Sequence, residues 1–295
     1  MKRTIAALLA LTLCACASSP DLRTLREPGE PLHAHLEHVP FHAQAVSPGG
    51  AEALAMAMQA SGAEVAVDAL GAATVAEMLA APRRHGRVSY PAGGSLTALL
   101  LEIDAGHPVI VRRTAPEDAY AVVVGYDLER NELIVHGPIA RAVRTPIGWF
   151  DRDWARSDRW AMVVLAPEET PAAVSPRAGL TAINEFERIA GIEASAPAWI
   201  AATDTWPDQE IAWYARGNAH AARHEFDAAR DAYLAAVTIA PAMEPAWLEL
   251  GRLYSALGER GNALAALQVA MMLGGPWQAE AKAAFDEISE ESAVL

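Results

Sequence analysis

Cysteine is almost absent from this 295-residue chain, and the position of the few that occur excludes several classes of protein. The two cysteines, Cys14 and Cys16, both lie near the amino terminus. A disulfide framework and a cysteine-rich zinc site are therefore excluded, and no thiol is available to a catalytic site in the rest of the chain.

Basic charge is also scarce. The chain has 23 lysines and arginines against 37 acidic residues, a formal net charge of −14. This balance argues against nucleic acid or an anionic membrane surface as the main partner. Hydrophobic residues make up 52% and charged residues 20%, a composition typical of a folded protein.

Four histidines, His33, His35, His38 and His42, lie close together in the sequence. Imidazoles at such spacing can bind zinc or copper, but no acidic or thiol residues accompany them in the pattern of a closed site. We interpret them as a solvated segment and expect neither a metal nor another cofactor.

Long apolar runs are missing too, and a short apolar run stands at the amino terminus. Lys2 and Arg3 precede the apolar stretch 5–13, which is too short to span a bilayer and is typical of an export signal. Leu13 and Ala15 stand three residues and one residue before Cys16, as lipoprotein processing requires. We therefore expect a signal peptide over 1–15 and a lipid on Cys16, and membrane contact only through that anchor.

Sorting of the anchored protein depends on the residue after the cysteine. Ala17 stands there rather than the aspartate that signals inner-membrane retention. This favours the cell envelope, at the outer membrane and facing the periplasm. The alternative is an ordinary secretory signal cut near Ala15 or Ala17.

The remaining chain divides by pattern into a tether over 16–36, a mixed helix and strand region over 37–167, a linker over 168–178 and a helical region over 176–290. Within the mixed region we predict helices at 51–60, 67–80 and 95–105, and strands at 108–112, 119–126, 133–136 and 160–165. Helices followed by a run of strands indicate an α+β domain.

The helical region contains an internal repeat of 34 residues. Trp213 matches Trp247 and Gly217 matches Gly251 at this offset, and Pro207 matches Pro241. The order of large, small and helix-ending residues resembles the tetratricopeptide repeat. We place repeats at 210–243 and 244–277, a degenerate repeat at 176–209 and a capping helix at 278–290; the alternative is an unrelated helical bundle.

The resemblance implies which repeat residues pack and which bind. We expect the core of the all-α solenoid to contain the consensus positions Trp213, Gly217, Tyr233, Pro241, Trp247 and Gly251. The first helices of stacked pairs form a concave face. We expect Asn218, Glu249 and Arg252 to line that groove.

The mixed region resembles a papain-like peptidase. The segment 39–44 reads VPFHAQ and is followed by GGAEAL at 49–54. Two further motifs match in the same order, AGHPVI at 105–110 and YAVVVGYD at 120–127. The similar family is the bacteriocin-leader type of cysteine peptidase, in its lipoprotein branch with carboxyl-terminal tetratricopeptide repeats. The resemblance implies a papain-like α+β fold over 37–167.

The same resemblance implies that the catalytic chemistry has been lost. Gln44 matches the oxyanion glutamine, but Gly49 stands at the position of the nucleophilic cysteine and Ala119 at that of the general base. The third, orienting residue lies near 136–137 in the family, where neither aspartate nor asparagine is found. Ser47 is close to the nucleophile position but precedes Pro48 and lacks a base.

Three functions stay open on this evidence. The first is a lipid-anchored pseudopeptidase that binds a peptide or protein through its papain-like domain and its repeats. The second is an active hydrolase with a non-standard nucleophile. The third is a purely structural repeat scaffold.

Overall fold

The computed structural model describes residues 22–43, 50–71, 74–114 and 119–290. Within them, seven strands form one sheet in the order β2-β7-β3-β4-β5-β6, with β1 added beside β4. Every pairing is antiparallel. The strands are β1 His33–His35, β2 Val88–Pro91, β3 Val109–Arg113, β4 Ala119–Asp127, β5 Glu132–His136, β6 Val143–Pro146 and β7 Ala161–Leu165.

Strand β4 forms the centre of the sheet because its apolar run is buried on both faces. Successive side chains point to opposite faces of a strand. Val122 and Val124 therefore pack on one side with helix α1 (Gly50–Ala60) and helix α2 (Val75–Arg84), while Ala121 and Val123 pack on the other. That second face is covered by α3 (Leu96–Asp104) and α4 (Ile147–Trp154).

The sheet and its helices confirm the predicted α+β class, with two corrections to the local assignment. The helix predicted over 67–80 is a single 3-10 turn, Val67–Ala69, followed by α2. Helix α2 starts late because Thr74 caps it. The Thr74 hydroxyl accepts a hydrogen bond from the Glu77 N–H at 3.2 Å, and the Glu77 carboxylate accepts one from the Thr74 N–H at 2.9 Å. Strands β1, β2 and β6 were not predicted.

The prediction of a tether over 16–36 is wrong for residues 22–36, the part that the structure describes. Leu22 is 2% exposed and belongs to the main apolar cluster, and β1 pairs with the end of β4. Gly125 permits this close pairing, since a β-carbon there would lie 2.3 Å from the carbonyl oxygen of Ala34. Residues 22–36 are thus part of the sheet domain, and residues 16–21 lie outside the described residues.

Seven helices follow the sheet within the described residues, at the positions that the 34-residue period indicates. They are α5 Pro176–Ala190, α6 Ile192–Thr205, α7 Glu210–Ala222, α8 Phe226–Ile239, α9 Glu244–Ala256, α10 Arg260–Leu273 and α11 Gln278–Glu290. Each predicted repeat contains one helix pair, and α11 follows as the final helix. The predicted all-helical second part is confirmed.

The linker predicted over 168–178 is also corrected, because the chain there is packed onto the sheet domain. Pro171 is buried, and the N–H groups of Ala172 and Ala173 donate to the carboxylate of Glu102 on α3 at 3.2 and 2.8 Å. Phe186 of α5 and Trp199 of α6 share an apolar cluster with residues of the sheet. The first helix pair and the sheet therefore have a common core, to which each buried aromatic side chain contributes roughly 2–3 kcal/mol.

Candidate functional site

The structure describes only some of the residues that the peptidase resemblance singles out. Gln44, Ser47 and Gly49 lie outside the described residues. Ala119 is buried at the first position of β4, and α1, which begins at Gly50, packs on that strand. The methyl group of Ala119 cannot accept a proton.

His136, near the predicted third position, is held in a neutral form by its two hydrogen bonds. Its Nε2–H donates to the carbonyl oxygen of Val39 at 3.4 Å, and its Nδ1 accepts from the N–H of Ala142 at 3.2 Å. Burial lowers the pKa of His136, and the hydrogen bond to Val39 only partly opposes that effect. With both ring nitrogens engaged, this histidine acts as a structural cross-link between β5 and two loops.

The lowered pKa of His136 predicts a loss of stability in mild acid. When the folded-state pKa lies below the unfolded value, the unfolded chain binds the extra proton first, so stability is complete above about pH 6.5 and decreases as the pH falls below it. We expect the difference in Tm between the parent and His136→Gln to narrow between pH 7.5 and pH 5.5. A difference that is constant over this range would contradict the assigned neutral state.

Two of the repeat consensus positions, Gly217 and Gly251, form close helix contacts, whereas Pro241 is exposed and not in the core as expected. A β-carbon on Gly217 would lie 2.5 Å from the Tyr233 ring, and one on Gly251 would lie 2.6 Å from Leu267. Trp213 and Trp247 are half-buried, and their indole N–H groups donate to the carbonyl oxygens of Pro207 and Pro241 at 2.8 and 2.9 Å.

The same contacts thus recur in successive helix pairs at the 34-residue offset. Large side chains on the second helices pack against glycines on the first ones. This region is a stack of helix pairs that repeats every 34 residues.

A groove of about 620 Å³ lies along the first helices of two successive pairs, α5 and α7. We call it the α5–α7 groove. Its lining combines apolar and uncharged polar groups with few charges: Arg177, Leu180, Thr181, Asn184, Glu187, Trp199, Gln209, Ile211, Tyr214, Ala215 and Asn218. Such a surface suits a ligand that has apolar side chains and many hydrogen-bonding groups.

Two asparagines occupy equivalent positions in this groove. Asn184 of α5 and Asn218 of α7 are separated by one 34-residue repeat, and both line the cavity. The Tyr233 hydroxyl donates to Oδ1 of Asn218 at 2.8 Å, which fixes the orientation of that amide. Burial raises the pKa of both neighbouring tyrosines, Tyr214 and Tyr233, so they are neutral hydroxyls at physiological pH.

The three predicted groove residues are not all in one concavity. Asn218 lines the α5–α7 groove, whereas Arg252 lines a separate cavity of about 350 Å³ together with Glu280 and Glu287 of α11. Glu249 accepts a hydrogen bond from Arg252 at 2.8 Å. The first helices α5 and α7 thus line one groove, whereas Arg252 of α9 lies against the capping helix α11 in the other cavity.

Sequence reasoning missed most of the groove lining. Asn184 had a usable signal, because it stands one repeat before Asn218. No sequence signal identified Ile211, Tyr214 or Trp199 as groove residues, since an apolar residue on a helix has the same pattern whether it faces the core or a groove.

The four clustered histidines lie at the start of the part of the chain that the structure describes. His33 and His35 are exposed on β1, and the His42 ring bonds the Gln59 side chain at 2.9 Å. No set of three potential metal ligands occurs among the described residues. Nor does any helix there have the length and apolar character needed to cross a bilayer.

Comparisons with known proteins concern the fold. No protein-family model matches the chain, and no curated protein gives a significant match. Among solved structures, the chain is similar to the Yersinia enterocolitica type III secretion translocator chaperone SycD. The two are 12% identical, the match covers 41% of this chain and 89% of that chain, and the TM-score is 0.38.

Two further similar structures are tetratricopeptide domains. The match with the TPR2B domain of yeast Sti1, in a complex with Hsp70, has 16% identity and a TM-score of 0.37. It covers 39% of this chain and 97% of that chain. The first TPR domain of Spaghetti (RPAP3), bound to the HSP90 peptide SRMEEVD, is 19% identical, covers 41% of this chain and 97% of its own, and has a TM-score of 0.37.

Proposed function

We propose that this protein is an exported, lipid-anchored adaptor whose repeats bind an extended peptide segment of a partner protein. The observation that carries the proposal is the α5–α7 groove, with Asn184 and Asn218 one repeat apart on neighbouring first helices. An asparagine amide both donates and accepts, so it can match the N–H and C=O groups of an extended backbone. Leu180, Ile211 and Trp199 offer apolar contacts beside them.

The sheet domain is, in this proposal, a papain-like module that binds without cutting. Support comes from the packing of α1 on β4, from the absence of any cysteine after Cys16 and from the methyl side chain at Ala119. Hydrolysis of casein by the purified protein, lost on Ser47→Ala, would overturn this part of the proposal in favour of an active hydrolase.

The peptide-binding role is tested with peptides selected from a random library on the full-length protein. We expect Asn184→Ala with Asn218→Ala to weaken their binding about tenfold or more, because each lost hydrogen bond costs about 1 kcal/mol. Asn262→Ala is the matched control, since Asn262 is exposed on α10 outside the groove. Unchanged affinity of every selected peptide for the double variant, measured by fluorescence anisotropy, would favour a scaffold role for the repeats.

The anchor is tested by changing one atom of the chain. Cys16→Ser removes the sulfur that would carry the lipid, so we expect loss of palmitate labelling and release of the protein from the membrane fraction. The parent is expected in the outer-membrane fraction, because Ala17 follows the cysteine. Membrane association that persists in Cys16→Ser would contradict lipid anchoring.

A further inference from the structure

A second cavity, of about 290 Å³, lies where the sheet domain meets the repeats. We call it the junction pocket. Arg83 of α2 and Pro91 of β2 line it from the sheet domain, and Ser175, Arg177 and Ala178 line it from the start of α5. Arg177 and Thr181 line both this pocket and the α5–α7 groove, so the two cavities adjoin.

Arg83 has a largely buried guanidinium with one unpaired donor. Its side chain is 10% exposed, and its Nε atom is buried without a hydrogen-bond partner. Its ion pair with Glu185 measures 3.8 Å from Nη1 to Oε2, which is too long for a hydrogen bond. That carboxylate oxygen already accepts from Arg188 at 3.0 and 3.3 Å.

Two further features make the pocket positive. Arg177 is exposed and forms no ion pair with the described residues, and none of the described residues that line the pocket is acidic. Ser175 caps α5, so the positive end of a 15-residue helix lies at the pocket wall. In a chain with a net charge of −14, such a site attracts anions more than cations.

We propose that the junction pocket binds a carboxylate of the peptide held in the α5–α7 groove, with Arg83 and Arg177 as its ligands. This inference rests on the proposed function for the identity of the ligand. Guanidinium groups match the planar carboxylate with paired hydrogen bonds. A buried guanidinium with an unpaired donor gains more binding free energy from such a partner than a solvated guanidinium does. The carboxylate is either the carboxyl terminus of the peptide or an acidic side chain.

The pocket itself is tested with acetate, independently of any peptide. The Nε–H resonance of Arg83 in the full mature chain in detergent is assigned by its absence from the spectrum of Arg83→Lys. It is then followed during titration with sodium acetate, with sodium chloride as the ionic-strength control. We expect a saturable shift with acetate alone, weakened about fivefold in Arg177→Gln. Arg84→Gln, which removes an exposed charge outside the pocket on the same helix, is expected to leave the titration unchanged.

Equal shifts with acetate and chloride, or identical titrations for Arg177→Gln and Arg84→Gln, would overturn the anion site. The source of the carboxylate is distinguished with short alanine peptides that end in a free carboxyl group, in a glutamate amide or in a glutamine amide. The inference requires one of the two charged peptides to bind more tightly than the glutamine peptide and to lose that advantage in Arg177→Gln. Acetate binding without this peptide preference would mean that the pocket is real but the peptide role of the groove is wrong.

Discussion

Trp247→Ala is expected to destabilise the carboxyl-terminal repeats by about 3 kcal/mol. The half-buried indole packs against three separate apolar clusters, formed by α7 to α11, and its N–H donates to the Pro241 carbonyl oxygen at 2.9 Å. Truncation removes all of these contacts at once. We expect thermal unfolding of the full chain, followed by far-ultraviolet circular dichroism, to show a helical transition at lower temperature.

Trp277→Ala provides the matched control for this change. The Trp277 side chain is 44% exposed and belongs to none of the three clusters, so its loss should change the Tm little. If Trp247→Ala melts like the parent while Trp277→Ala does not, the assigned register of the repeats is incorrect.

Glu102→Ala is expected to detach the segment before α5 from the sheet domain, at a cost of about 3–5 kcal/mol. The Glu102 carboxylate is fully buried and accepts from the Ala172 and Ala173 N–H groups and from Nδ1 of His107, at 3.2, 2.8 and 2.8 Å. Its removal leaves two backbone donors and a histidine without their acceptor. Limited proteolysis should then cleave within 168–175 much faster than in the parent.

The control for Glu102→Ala is Glu129→Ala, because Glu129 is exposed in the turn between β4 and β5. Equal cleavage rates for the two variants would show that Glu102 does not hold the segment in place. Glu102→Gln is expected to fall between them, because its amide oxygen can still accept a hydrogen bond while its NH₂ group faces a backbone donor.

The sequence by itself determined the features that depend on neighbouring residues or on residue identity. The 34-residue period located the helix pairs, and glycine at 217 and 251 already implied that a large side chain lies against each of them. The lack of any cysteine after Cys16 excluded a thiol from the rest of the chain without a structure. The apolar run in β4 was readable as a doubly buried strand for the same reason, since burial on both faces leaves no polar alternation.

Only the tertiary structure decided the features that depend on distant partners. Strand β1, with the sequence His-Ala-His, has no apolar alternation, and its strand conformation comes from pairing with β4, about ninety residues later along the chain. The segment predicted as a linker is held by Glu102, some seventy residues before it. Arg83 and Arg177 look like ordinary surface cations in the sequence, and they line one pocket only because α5 packs on α2 and β2. Local patterns record the preferences of a segment, whereas such long-range contacts arise from the shapes and charges of elements that meet only after folding.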